Sequence, residues 1–214
     1  MMKVPRCFSN LVALFGVLLA AGLISPAAAD EGRKVKKSPL DHAVVFQDSI
    51  SRDLPVRIRP FSAENADLGT GAKKNKPKYQ KLAQEMQQDA PELMMSSLIK
   101  RLKKGGFDDV EQMEGDLSMP VECLIIEGEF TKLNPGSQSK RYMAGFGAGK
   151  SQVCGSGRVT NAHGDLLLKF DHCRHAAMGV FGGESEAQMT NDAEATGSNL
   201  AEFMAKWADG AYAD

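Results

Sequence analysis

A glycine-rich segment carries the residue types with the clearest chemical potential in this sequence. Residues 144–151 read Ala-Gly-Phe-Gly-Ala-Gly-Lys-Ser. This has the outline of a phosphate-binding loop, in which a small residue and four others precede Gly-Lys-Ser. In such a loop, backbone N–H groups and the lysine surround the phosphates of a nucleotide. The first chemical hypothesis is therefore a nucleotide site over Ala144–Ser151.

The residues on either side of this segment argue against nucleotide binding. A phosphate-binding loop follows a buried strand and precedes a helix, because the helix N-terminus contacts the phosphates. Here Lys140-Arg141 precedes the segment, and residues 152–160 alternate apolar and polar types with period two, which predicts a strand. We therefore disfavour the nucleotide hypothesis and expect no cofactor.

The same segment is the candidate contact site for a partner, through its basic residues and its glycine backbone. The sequence shows no nucleophile elbow, zinc-protease motif or other catalytic constellation. We therefore expect that the protein is not an enzyme. The candidate binding residues are Arg141, Gly145, Gly147, Gly149, Lys150 and Ser151. A purely structural role stays open, because a bare glycine face allows neighbouring backbone to approach closely.

Two cysteines after this segment have a spacing that predicts a disulfide. A strand over residues 151–160 would fold back on residues 165–174 around a two-residue turn at His163-Gly164. This register places Cys154 opposite Cys173 and Val159 opposite Leu168. A turn of a different length would shift the pairing by one residue.

A metal site is the alternative use of the same side chains. Cys154, Cys173 and His175 could converge at one end of the hairpin, and thiolate with imidazole ligands suits zinc or copper. The close CxxC spacing typical of such sites is absent. The disulfide is therefore the favoured interpretation, with a metal- or redox-linked protein as the alternative.

The N-terminal residues predict export. Lys3 and Arg6 precede an uncharged apolar run, Leu11 to Ile24, and Ala27-Ala28-Ala29 provides a small-residue cleavage site. We expect a signal peptide over residues 1–29, cleavage after Ala29, a periplasmic location and no stable membrane span. A lipid anchor is not expected, because no cysteine directly follows the apolar run.

Composition bounds the rest of the chain. Its 214 residues are 43% hydrophobic and 25% charged, which is typical of a globular domain. A formal charge of −1 gives no electrostatic basis for nucleic-acid binding. The basic stretch at residues 30–42 predicts a flexible tail, and we expect one domain over residues 43–209.

Strands and two helices are expected to position the glycine-rich segment. Short strand patterns cover residues 43–46, 56–61 and 107–112, and a longer one covers residues 121–133 before the hairpin. Helical spacing covers residues 79–104, with a restart at Asp89-Ala90-Pro91-Glu92, and residues 186–207. This order predicts an α+β domain with a mostly antiparallel sheet.

Several of these features follow one another in a recognisable order. They are Gly128 and Phe130, the turn Pro135-Gly136-Ser137, Arg141, Gly145-Phe146-Gly147, Gly149, Ser151 and Gly164. From Ala43 to Trp207 the chain resembles the bacterial envelope family catalogued as domain of unknown function 4410. The resemblance implies a fold similar to the small αβ domains of envelope assembly factors, and it implies no activity. We therefore expect a non-enzymatic binding or assembly accessory protein whose partner is another envelope protein or polymer.

Overall fold

In the described part of the chain, seven strands form one sheet and two long helices cover one of its faces. The computed structural model describes residues 32–69, 77–113, 120–135, 151–175 and 185–213. The strands are β1 Arg33–Lys34, β2 His42–Val45, β3 Val56–Ile58, β4 Val110–Gln112, β5 Leu124–Asn134, β6 Gln152–Asn161 and β7 Leu166–His175. The helices are α1 Pro77–Lys104 and α2 Ser185–Ala208. The order across the sheet is β1-β2-β7-β6-β5-β3-β4.

The sheet is mixed, so the prediction of a mostly antiparallel sheet is wrong, although the α+β class is confirmed. β3 runs parallel to both of its neighbours, β4 and β5. The other pairs are antiparallel. The connection explains the difference, because a helix between β3 and β4 returns the chain to the same end of the sheet before the next strand begins.

The core lies between the helices and one face of the sheet. Alternate residues of β5 point into it, so that Leu124, Ile126 and Phe130 are almost completely buried, as the period-two pattern predicts. From α2, Phe203 and Trp207 are fully buried against the same layer. The opposite face of β5 carries Ile125, Glu127 and Glu129, and neither helix packs on that face.

The two helices contact each other through small residues. A Cβ atom added at Gly197 of α2 would lie 2.3 Å from the carbonyl oxygen of Met94 in α1. Next to this crossing, the hydroxyl groups of Ser97 and Ser198 form a hydrogen bond of 2.9 Å. Gly197 weakens the helix by propensity alone, but its missing side chain lets the two backbones approach.

Helix α1 is continuous from Pro77 to Lys104, so the predicted restart near Pro91 is wrong. Ala90 and Met94, on either side of this proline, are buried in the core. Burial of this face holds the segment in one helix, although proline removes one backbone donor. The helix ends before Gly105-Gly106 as expected, and Gly106 has a φ of +88°.

One arginine joins the C-termini of both helices. Arg52 Nε donates a hydrogen bond to the Gly105 carbonyl at 2.8 Å, and Arg52 Nη2 donates to the Ala205 carbonyl at 3.1 Å. Its third nitrogen lies 2.8 Å from Asp209 Oδ1. The positive charge of Arg52 complements the dipoles of both helices at these ends. Because both C-termini lie beside the same arginine, the two helices run in the same direction.

The N-terminal residues that are described belong to the sheet. β1 pairs with β2 through Arg33–Val45 and Lys34–Val44, and Leu40 is buried. In the described part of the predicted flexible tail, residues 32–42, the chain forms an edge strand and contributes a core residue. All described residues lie within one compact unit, Glu31–Asp214.

Among the described residues, no helix has the length and hydrophobicity needed to cross a membrane. The apolar run of residues 11–24 and the predicted cleavage site after Ala29 lie outside the described residues.

Candidate functional site

The β6–β7 hairpin joins Cys154 and Cys173 in a disulfide, with their Cα atoms 4.0 Å apart. The two residues are directly opposed, and Val159 is opposite Leu168. The predicted register is thus confirmed over this part of the hairpin. Cys123 is a free and buried cysteine.

The turn that produces this register differs from the prediction. Asn161 N donates to the Asp165 carbonyl at 3.0 Å, so the loop has three residues, 162–164, and not two. Its last residue, Gly164, has a φ of +86°, which an L side chain rarely adopts. Leu167 then forms a bulge, because Thr160 pairs with Leu166 and Val159 with Leu168. The bulge compensates for the longer loop and restores the opposition of the cysteines.

The disulfide argues against the metal hypothesis. Both sulfur atoms are bonded to each other and are not thiolate ligands in this state. His175 Nδ1 lies 3.1 Å from Gln152 Nε2 on the neighbouring strand. Within the described ranges, no group of three or more His, Cys, Asp or Glu residues is arranged to hold a metal ion.

Most of the glycine-rich segment lies outside the described residues. Of the candidate binding residues, Arg141, Gly145, Gly147, Gly149 and Lys150 lie outside the described residues, as does the rest of the Ala144–Lys150 stretch. Ser151 is described and is fully buried next to the start of β6. The chain therefore enters a strand after Ser151, as the alternation predicts, and not the helix that a phosphate-binding loop requires.

The sheet face opposite the helices carries a groove of about 500 Å³. We call it the sheet-face groove. Its walls come from the residue that follows β3 and from β5, β6 and β7, and the β6–β7 loop closes one end. The residues that define it are Arg59, Ile125, Glu127, Arg158, Thr160, Leu166 and Lys169.

Glu127 organises the charges of this groove. Its Oε2 accepts a hydrogen bond of 2.5 Å from Arg59 Nη1, and its Oε1 accepts one of 2.5 Å from Arg158 Nε. Burial alone would raise the pKa of Glu127, but the hydrogen bonds from Arg158 and Arg59 outweigh it and hold the pKa below its usual value. The carboxylate thus stays ionised and fixes the position of both guanidinium groups.

The groove keeps an excess of positive charge. Arg158 lies directly opposite Lys169 on β7, and Lys169 has no ion-pair partner among the residues that the structure describes. Three cations therefore surround one carboxylate. Beneath them, Ile125 is only 5% exposed and forms an apolar floor with Leu166. This arrangement can bind anionic groups at the rim and an apolar group below.

A second polar cluster lies on the core side of the same sheet. His172 is buried, and its Nδ1 lies 3.1 Å from Asp41 Oδ2, while its Nε2 accepts a hydrogen bond of 2.8 Å from Asn199. Burial lowers the pKa of His172, against the opposing effect of Asp41. This neutral imidazole links the N-terminal segment, β7 and α2, which is a structural role.

None of the groove residues was among the candidates that the sequence predicted. The alternation Val56-Arg57-Ile58-Arg59 places both arginines on one face, and the face assignments of β5 and β6 place Glu127 and Arg158 outward. The missing information was the alignment of separate strands, since Glu127 meets Arg158 only through the β5–β6 register.

One family model matches most of this chain. Residues 56–206 match the family described as "Domain of unknown function (DUF4410)", so the chain belongs to this family, as the resemblance predicted. No curated protein matches.

Two solved structures show a distant similarity. One is the PelC dodecamer from Paraburkholderia phytofirmans, with 15% identity and a TM-score of 0.44 over 73% of this chain and 90% of that chain. The other is a single-substitution variant of the same protein, with 14% identity and a TM-score of 0.41 over 72% and 90% of the two chains. Neither the family description nor these similarities assigns an activity to this protein.

Proposed function

We propose that this protein is a non-enzymatic binding or assembly accessory protein of the bacterial cell envelope that works in the periplasm. The observation that carries the proposal is the sheet-face groove, where three cations and one fixed carboxylate surround an apolar floor. Side chains of this kind recognise a partner by charge and by apolar contact.

Two further observations support the proposed location. The N-terminal sequence combines basic residues, an apolar run and a small-residue cleavage site. The Cys154–Cys173 disulfide is of a kind that persists in oxidising compartments and is rare in the cytosol. Both features favour an exported protein.

The competing hypotheses gain less support. A metal- or redox-linked function would use Cys154, Cys173 and His175, but the sulfur atoms are bonded to each other. A nucleotide site over Ala144–Ser151 would require a helix after Ser151, where β6 begins instead.

Site-specific crosslinking in living cells tests the proposal. A photo-crosslinking amino acid in place of Thr160, within the groove, should form an adduct with an envelope protein or polymer in the periplasmic fraction. The same group in place of Lys100, exposed on α1, is the matched control and should give no such adduct. Equal adducts at both positions, or none at either, would contradict a binding function of this face. Recovery of the protein in the cytoplasm with residues 1–29 intact would contradict the location.

A further inference from the structure

We propose that the sheet-face groove binds an extended acidic peptide segment of a partner protein. The carboxylates of the peptide would contact Arg59, Arg158 and Lys169, and one aliphatic side chain of the peptide would lie over Ile125. This inference rests on the proposed binding function and specifies its ligand class.

The first argument is the unused hydrogen-bonding capacity of the arginines. Glu127 occupies one terminal nitrogen of Arg59, and a single carboxylate oxygen receives both contacts from Arg158. A guanidinium has five N–H donors and binds carboxylates in pairs of parallel hydrogen bonds. The side chains of Arg59 and Arg158 are 49% and 59% exposed, so donors on both remain accessible to a second carboxylate.

Arg57 provides an internal comparison two residues from Arg59 on the same strand face. It lies 2.7 Å from Asp109 and 3.6 Å from Glu111, and its side chain is 15% exposed. Its charge is thus matched by two carboxylates of the same chain. The groove has the opposite ratio, with three cations and one carboxylate, in a chain whose formal charge is −1. The local excess favours an anionic partner.

The second argument is the floor, which distinguishes between classes of anionic polymer. Leu166 is half-buried and offers an aliphatic surface above the nearly buried Ile125, and no phenylalanine, tyrosine or tryptophan lines the groove among the described residues. Sugar rings are commonly held by stacking on aromatic side chains, so the groove lacks the platform that an acidic polysaccharide would use. A leucine-like side chain between carboxylates matches both the floor and the rim.

The position of the groove also limits how a peptide can bind. It lies on β5, β6 and β7 and at the end of β3, and these are all interior strands of the sheet. Their backbone groups are already paired, so the peptide cannot add as an extra strand and must be held by side chains. We therefore expect binding of modest affinity that weakens as salt is added.

Binding of defined peptides to the intact, disulfide-bonded exported protein tests the inference. The probe is a fluorescently labelled Glu-Glu-Leu-Glu-Glu peptide, followed by anisotropy at low and high salt. Control peptides replace all glutamates by glutamine, or the leucine by serine. Each control should bind about tenfold more weakly, because each removes one of the two contacts.

Charge reversal of Lys169 makes the test specific to the groove. Lys169→Glu should weaken peptide binding about tenfold or more at low salt, since the new carboxylate repels the probe and neutralises Arg158. Lys100→Glu has the same change in net charge but lies exposed on α1, and it should bind like the unchanged protein. Circular dichroism confirms that both variants fold. Equal weakening in both variants would overturn the inference, because net charge alone would then explain binding.

Other probes separate failure of this inference from failure of the proposed function. Binding of polygalacturonate, but not of the peptide, that Lys169→Glu abolishes would overturn the peptide assignment and leave a binding function intact. Self-association that Lys169→Glu abolishes would likewise identify a second copy as the occupant and overturn it. If the crosslinking amino acid at position 160 forms no adduct in cells, the result would contradict the binding function itself.

Discussion

Glu127 and His172 lie on opposite faces of the sheet, and their surroundings favour different charge states. Glu127 faces the groove and stays ionised because Arg59 and Arg158 donate hydrogen bonds to it. His172 faces the core, where burial disfavours the charged imidazole. Glu127 therefore fixes the positions of the charges in the groove, whereas His172 links separate parts of the fold.

The free energy of unfolding should decrease as the pH falls from about 7 to about 5, and His172 should cause part of that decrease. Its folded pKa is lowered from the ordinary 6.5, so the unfolded chain binds more protons in this range. Replacement His172→Gln keeps an acceptor for Asn199 and should reduce the pH dependence measured by urea denaturation.

His163→Gln is the matched control for this experiment, because His163 is exposed on the β6–β7 loop. It removes one histidine without changing the contacts of His172 with Asp41 and Asn199. Asp192 acts in the opposite direction, since burial raises its pKa and its protonation at low pH is stabilising, but it is present in every variant. An unchanged slope in His172→Gln would show that His172 is not responsible.

At the scale of elements, close contacts decide how α1 and α2 are arranged. Gly197 allows the backbone of α2 to approach Met94, and Arg52 binds the carbonyl groups at both helix ends. The hairpin shows the same dependence on local detail, since the bulge at Leu167 compensates for a three-residue loop. The helix crossing and the hairpin register thus depend on contacts that the sequence pattern of a single element does not reveal.

Gly197→Ala should destabilise the protein by up to about 2 kcal/mol. Helix propensity alone would predict stabilisation of about 1 kcal/mol. The added Cβ would lie 2.3 Å from a backbone oxygen, however, so the helices must separate, and overpacking costs about 1–3 kcal/mol. Asn191→Ala, at an exposed position of α2, is the control and should stabilise by a few tenths of a kcal/mol. Stabilisation by both substitutions in urea denaturation would contradict the close crossing.

At the scale of the whole molecule, the helices cover only one face of the sheet among the described residues. The mixed topology places β3 between β4 and β5, which brings Arg59 beside Glu127. The antiparallel β5–β6 pair brings Arg158 to the other side of the same carboxylate. The open face therefore combines residues from strands that are distant in the chain.

The Cys154–Cys173 disulfide should contribute about 3 kcal/mol to stability, because it closes a loop with a sequence separation of 19 residues in the unfolded chain. The double replacement Cys154→Ser and Cys173→Ser should show this loss in urea denaturation without reductant. Reduction of the unchanged protein should have a similar effect.

Cys123→Ala provides the control, since Cys123 is free and should not contribute a reductant-sensitive step. Mass mapping of the unreduced protein should recover Cys154 and Cys173 as one linked peptide pair. Recovery of both as free thiols from protein that was never exposed to reductant would contradict the disulfide.

The sequence by itself determined the features that depend on neighbouring residues. Alternation along β5 and β6 predicted their buried faces, helical spacing predicted α2, and Gly105-Gly106 predicted the end of α1. The cysteine register was also predictable, because a hairpin joins adjacent segments. These signals are local and follow from the geometry of one strand, one helix or one turn.

Only the tertiary structure decided the sheet order and the groove. The parallel placement of β3, the continuation of α1 through Pro91 and the meeting of Arg59, Glu127 and Arg158 depend on contacts between remote segments. A single sequence records the type of each residue but not the register of non-adjacent strands. The glycine-rich segment is distinctive by its residue types alone, whereas the groove forms only where separate strands lie side by side in the sheet.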